Sequence, residues 1–286
     1  MTVLSVSDLR RTFSGVTAVD SLSFDVGPGE VVSIIGPNGS GKTTTLNLIS
    51  GVLRADSGTI ELDGRRIERA SVEQIAEAGL ARTFQNGRVF AGLTVAENVE
   101  VGLHSTLTAA RPLRRWSGYP LLRWIPLLAE LALALVPTPA VRRERERITG
   151  EIDEQLRRFS ERLAPRRTDP AYTLSYANRR RTEIARALAL RPRLLLLDEP
   201  TAGMNQTETA EVLGQLVALK AAGQAAGQAI LLVEHKLDLV MTLSDRVLVL
   251  DDGKLIAQGT PAEVRTDPAV IEAYLGRRRE PRSVLP

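Results

Sequence analysis

The chain has 286 residues, 43% apolar and 25% charged, with 22 Gly, 15 Pro and no Cys. That composition excludes wholesale disorder, fibrous classes, a disulfide scaffold and any thiolate metal site. Two widely separated histidines, His104 and His235, speak against a histidine metal centre, and a net charge of +3 does not by itself argue for nucleic acid. The opening MTVLSVSDLRRTF lacks the basic-then-apolar pattern of a signal peptide. Val3, Val6 and residues 18–26 read as strands, with the turn GPGE after them. VVSII at 31–35 is an apolar run of buried-strand length. GPNGSGKTT follows at 36–44 and runs into a helical stretch. SGTIELDG at 57–64 reads as a strand ending in an Asp-Gly turn.

From about residue 96 to residue 170 the strand signals vanish. Residues 104–170 hold 13 of the chain's 33 Arg, eight acids and no Lys, and residues 144–163 have helical periodicity. Residues 119–137 (YPLLRWIPLLAELALALVP) have the length of a membrane-spanning helix. Arg123, Pro126 and Glu130 lie inside that stretch, and central charges are costly in a bilayer; we read it as one or two helices packed on protein. Helix and strand then alternate: helix at 182–190, the strand RLLLLDEP at 193–200, helix at 207–222, the strand AILLVEH at 229–235, helix at 239–244. Residues 246–259 form a hairpin across Asp252 and Gly253, and GRRREPRSVLP is a solvated tail. Apolar strands alternating with helices imply a mainly parallel sheet covered on both faces; the antiparallel strands near the start suggest an attached β subdomain.

Residues 36–43 match the phosphate-binding loop G-x-x-x-x-G-K-[ST], between an apolar strand and a helix. Gly36, Gly39 and Gly41, with Pro37, Asn38 and Ser40, let backbone N–H groups converge on phosphates. Lys42 supplies a point charge, Thr43 a hydroxyl for Mg²⁺, and the helix entered at Thr44 its N-terminal dipole. Asp198 and Glu199 end a buried strand about 155 residues later. There Asp198 is placed to hold Mg²⁺ through water, and Glu199 to polarise an attacking water as general base. These motifs define a P-loop NTPase, and the absence of an Asn-Lys-x-Asp guanine-reading motif disfavours a GTPase.

With these motifs in order, the chain resembles the ATP-binding subunits of ABC transporters. Phe13 in RRTFSG stands where that family stacks an aromatic on adenine. Gln85 in ARTFQN resembles the Q-loop glutamine, which touches Mg²⁺ and the attacking water. LSYANRRRTEIARAL from residue 174 resembles the signature segment, TAGMN at 201–205 stands at the D-loop, and His235 in LLVEHKL resembles the switch histidine that contacts the γ-phosphate. Alone, Phe13 would read as core, Gln85 as a loop amide, His235 as a strand-end histidine. His104 matches no motif. GLARTFQNGRVFAGLTVAENVEVGLH, EPTAGMN and DPAVIEAYLG are similar to the LivG-type ATPases of branched-chain amino-acid importers. ATPases for urea and short amides, and for lipid export, share part of the pattern.

The signature departs from the family's Leu-Ser-Gly-Gly-Gln or Leu-Ser-Tyr-Gly-Gln: here Ala177 and Asn178 follow Tyr176. In the family this segment acts in trans, so Ser175 and the backbone at Ala177 and Asn178 would meet the nucleotide of the opposite subunit. If position 177 needs a left-handed backbone, Ala adds on the order of 1–2 kcal/mol, about tenfold in closure. A subunit with an intact site and a weak signature suits a heterodimer.

The resemblance implies an α/β fold: a RecA-like P-loop core (1–95 and 171–260) with an antiparallel β subdomain, an α-helical subdomain (96–190) carrying an extended insertion at about 104–170, and a C-terminal helix and tail (261–286). It implies ATP and Mg²⁺ as cofactors. The implied partners are two permease subunits, a second ATPase subunit in a homodimer or, preferably, a heterodimer, and indirectly a solute-binding protein. The implied place of action is the cytoplasmic face of the inner membrane, held peripherally. A non-transport ATPase acting on nucleic acid or ribosomes would need two fused ATPase units or a long coiled coil, and neither is present.

Overall fold

The computed structural model describes residues 2–83, 89–103, 138–159 and 161–276. Gln85, His104 and the apolar stretch 119–137 lie outside these residues. The chain divides into two compact units, Met1–Asn86 with Pro192–Pro286, and Gly87–Arg191.

The first unit holds two sheets. The larger is ordered β10-β9-β3-β8-β7-β6. Its strands are β3 (Val31–Ile35), β6 (Leu80–Arg82), β7 (Leu194–Asp198), β8 (Ala229–Val233), β9 (Arg246–Asp251) and β10 (Lys254–Gly259). Every pairing is parallel except the β9–β10 hairpin. All residues of β3, β7 and β8 are buried, which is why these strands read as unbroken apolar runs: both faces of a parallel sheet are covered. The smaller sheet, ordered β2-β1-β4-β5, is antiparallel and comprises β1 (Leu4–Phe13), β2 (Val16–Val26), β4 (Ser57–Leu62) and β5 (Arg65–Arg66).

Helix α1 (Lys42–Ile49) lends Leu46, Leu48 and Ile49 to a core shared by both sheets, with Leu4, Val6 and Leu9 from one and Val32, Leu196 and Leu231 from the other. Helix α2 (Val72–Glu77) adds Ile75. A second cluster joins Ile35, Val247 and Val249 to Val240, Val264 and Val270; these last three belong to α7 (Leu237–Leu243), α8 (Pro261–Thr266) and α9 (Pro268–Ile271). Helix α6 (Gln206–Ala226) starts at an Asn205–Glu208 capping box and stops at Gly227 with φ +70°, the sequence signals that start and stop a helix. The turn residues Asp63–Gly64 and Asp252–Gly253 all have positive φ, as a two-residue hairpin turn demands.

The second unit is built on α3 (Val95–Leu103), α4 (Pro139–Arg157) and α5 (Tyr176–Ala189). A Cβ on Gly102 would sit 2.3 Å from the Arg186 carbonyl, so α3 and α5 touch through backbone. Buried Asn98 pins the preceding loop: its amide donates to the carbonyls of Phe90 and Thr94 and accepts from the Phe90 N–H. Arg180 and Glu183, each about 1% exposed, form a buried pair at 2.8 Å. Among the described residues no helix is long and apolar enough to cross a membrane.

Candidate functional site

The loop of residues 36–43 leaves the C-terminal end of β3 and becomes α1. Its curl depends on two glycines against neighbouring backbone. A Cβ on Gly36 (φ +151°) would lie 2.1 Å from the Leu250 carbonyl oxygen, and one on Gly41 (φ +98°) 2.3 Å from that of Ala18. The β9–β10 turn braces the loop, since the Gly253 N–H donates to the Ser40 carbonyl at 3.2 Å. The Lys42 ammonium folds back and donates to the carbonyls of Gly36 and Pro37, each at 2.9 Å. Burial lowers the Lys42 pKa, and the carboxylates of Glu199 and Asp198 oppose that shift. Ser40 is 2% exposed and its hydroxyl has no hydrogen-bond partner. A buried polar group left so costs about 1–3 kcal/mol, which marks the loop as a place for a polar ligand. Thr43 is exposed and Thr44 half-buried.

At the end of β7, Asp198 is buried and its Oδ2 accepts from Arg82 Nη2 at 2.9 Å. Glu199 takes a left-handed backbone, φ +48°, a conformation that costs a non-glycine residue on the order of 1–2 kcal/mol and recurs at functional sites. Its Oε1 lies 2.8 Å from His235 Nε2, the histidine just past β8. The structure thus brings Lys42, Asp198, Glu199 and His235 together at one end of the parallel sheet. A water held against Glu199 Oε2 or Oε1 there would find a proton acceptor whose orientation His235 fixes.

Phe13, at the end of β1, is 38% exposed and not core, with the Arg11 guanidinium 4.8 Å from its ring centre. Ser175, Ala177 and Asn178 belong to the second unit. Ser175 is the N-cap of α5, its hydroxyl accepting from the Asn178 N–H at 3.3 Å. Ala177 is therefore in the first helical turn and absent from the positive-φ residues. The condition for strain at position 177, a left-handed backbone, is not met, because the capped helix already includes it. Asn178 is buried and accepts from Arg181 at 2.9 Å.

Four residues of this region escape sequence reasoning. Arg82 is one. Buried Glu234 is another: its carboxylate accepts from the Thr201 N–H and hydroxyl and from the N–H of His235 and Lys236. Lys236 donates to the Thr209 hydroxyl at 2.6 Å and to the Thr201 carbonyl, fastening the TAGMN turn. Tyr274 follows α9 and is 43% exposed; partial burial pushes its phenol up, against hydrogen bonding from the Gly36 backbone. The acid before His235 is visible in sequence, but its partner Thr201 is 33 residues away; Tyr274 stands in DPAVIEAYLG, a segment whose likeness gives the phenol no role.

A family model described as ABC transporter matches residues 19–202, and one described as branched-chain amino acid ATP-binding cassette transporter matches residues 254–280. The chain is 38% identical over 274 residues to the high-affinity branched-chain amino acid transport ATP-binding protein LivG of Salmonella typhimurium, covering 96% of this chain and 98% of that one. It is 37% identical over 279 residues to BraF of Pseudomonas aeruginosa, a protein of the same description, with the same coverage. Among solved structures, a nucleotide-free ATP-binding cassette from an ABC transporter is similar at a TM-score of 0.75 and 28% identity, over 97% of this chain and 100% of that one.

Proposed function

The chain belongs to the ABC transporter family of ATP-binding subunits, and from that premise we propose that it hydrolyses ATP to drive uptake of branched-chain amino acids through partner permeases. The observation that carries the reading is the convergence of Lys42, Asp198, Glu199 and His235 beside a glycine-built loop, in a chain that aligns over 96% of its length with LivG and BraF.

Each residue then has a task. Lys42, the loop amides and the Ser40 hydroxyl take the phosphates. Phe13 offers an exposed ring for adenine. Thr43 and Asp198 would hold Mg²⁺, which would supply positive charge against that developing on the transferred phosphoryl group. The donor set suits that cation: the buried Asp198 carboxylate and the exposed Thr43 hydroxyl are hard oxygen donors, and Mg²⁺ prefers one or two carboxylates with waters and phosphate oxygens. Glu199 accepts the proton of the attacking water and His235 keeps it aimed. The Gln85 role rests on its motif alone. Ser175, with the backbone at Ala177 and Asn178, meets the nucleotide of a second ATPase subunit. ATP binds the closed pair and ADP does not, so turnover becomes motion of the permeases.

Two permeases, a second ATPase, a solute-binding protein upstream and a post at the cytoplasmic face of the inner membrane complete the proposal. The helical α5 backbone at Ala177 leaves a homodimer as open as a heterodimer. Deleting the gene and measuring uptake of labelled leucine and of a non-branched amino acid tests it: selective loss of leucine uptake is expected. Unchanged leucine uptake, with no paralogue present, would overturn the substrate assignment.

A further inference from the structure

Arg82 ends β6, three residues before Gln85. Its side chain is 5% exposed and meets Asp198, 1% exposed, at 2.9 Å. The second nitrogen of the same guanidinium, Nη1, donates to Asn47 Oδ1 at 2.8 Å and to Ser50 Oγ at 2.7 Å. Asn47 lies in α1 and Ser50 caps its C-terminal end. One planar group therefore spans three elements: the strand running toward Gln85, the strand that ends in Asp198, and the helix that grows out of the phosphate loop. The fork of an arginine can do this, whereas a lysine is a single point charge. The contact uses Oδ2 of Asp198 and does not occupy Oδ1. The Arg82 contact gives this buried carboxylate a charged partner beside the like charge of Glu199.

We propose that Arg82 is a positioning residue for metal-dependent nucleotide binding: it fixes the rotamer of Asp198 and ties that carboxylate to the helix behind the phosphate loop. The inference rests on the reading of the chain as an ATPase that uses Mg²⁺. It makes a prediction that a merely structural ion pair does not. The Arg82 contact should matter to the part of nucleotide affinity that Mg²⁺ adds and not to the part that Lys42 and the loop provide alone.

The test is equilibrium binding of a fluorescent ATP analogue to the full chain, with EDTA and then with Mg²⁺, for wild type, Arg82→Lys and the double variant Asn47→Ala, Ser50→Ala. Thermal unfolding identifies variants that fold. In Arg82→Lys, affinity in EDTA should stay within about twofold of wild type, while the gain on adding Mg²⁺ should shrink about tenfold. In the double variant, which keeps the Asp198 contact and loses its tether, the gain should shrink by a smaller factor. If Arg82→Lys does not fold, the double variant decides. A folded variant with the full wild-type Mg²⁺ gain would overturn the proposal, as would equal losses with and without Mg²⁺. Failure of wild type to bind ATP at all would instead strike the ATPase reading.

Discussion

Gly41→Ala should destabilise the protein far more than Gly39→Ala, two residues away in the same loop. Both glycines have positive φ, +98° and +84°, but only Gly41 is crowded: a new Cβ there meets the Ala18 carbonyl oxygen at 2.3 Å, whereas at Gly39 nothing lies within 4 Å. The left-handed backbone costs either alanine on the order of 1–2 kcal/mol. At Gly41 the overlap is with backbone of β2, which cannot swing aside like a side chain, and overpacking of this kind adds about 1–3 kcal/mol. The expected losses are therefore about 2–5 kcal/mol for Gly41→Ala and about 1–2 kcal/mol for Gly39→Ala. Urea unfolding without nucleotide reads both, as a shift in midpoint at constant slope. Equal losses would refute the argument that backbone approach, and not φ alone, requires glycine at position 41.

Glu199→Gln should lower ATP turnover by about 10²–10⁴-fold, the usual worth of a general base, with ATP binding retained; equilibrium binding beside a phosphate-release assay separates the two. Glu234→Gln turns an amide toward donors that now meet a carboxylate, so it should cost about 1–3 kcal/mol in urea unfolding and lower turnover through His235, with little change in ATP affinity. The carboxylates of Glu97 and Glu263 are held below their ordinary value near 4.5 by the N–H and hydroxyl of Thr94 and Thr260, and that of Glu73 by the Ser71 hydroxyl and its own N–H. A depressed folded pKa gives stability that is complete above the unfolded value and lost as pH falls through the folded one. The unfolding midpoint should thus drop as pH is taken below about 4.5, and the drop should be shallower in Glu263→Gln.

The parts of the fold legible in sequence share a physical cause. Strands β3, β7 and β8 are buried on both faces, so each is an unbroken apolar run, and the turns at Asp63 and Asp252 need residues that tolerate positive φ. Strand β1 was visible only at its start, because register shifts after Val6 and Leu9 break the alternation, and Arg10, Arg11 and Thr12 follow with none of them buried. Strand β6 has three residues, too few for any period. Helix α5 begins six residues before the expected position 182, since Ser175, which resembles a ligand contact in sequence, is its N-cap. Helix α4 begins five residues before position 144, at Pro139 behind the cap Thr138, a start signal in plain view. In the site, the loop and the Asp198–Glu199 pair were legible because their chemistry is local. Arg82 was not, because its carboxylate partner lies 116 residues away.

If Glu199 serves as the general base of an importer, ATP hydrolysis should be coupled to movement of branched-chain amino acids. Co-purification with the permeases, reconstitution into lipid vesicles and addition of the solute-binding protein allow ATP hydrolysis to be measured against added solute. Leucine, isoleucine or valine should raise the rate, and Glu199→Gln should abolish it. A rate that rises only with a solute lacking a branched aliphatic side chain, or that survives Glu199→Gln, would contradict that coupling.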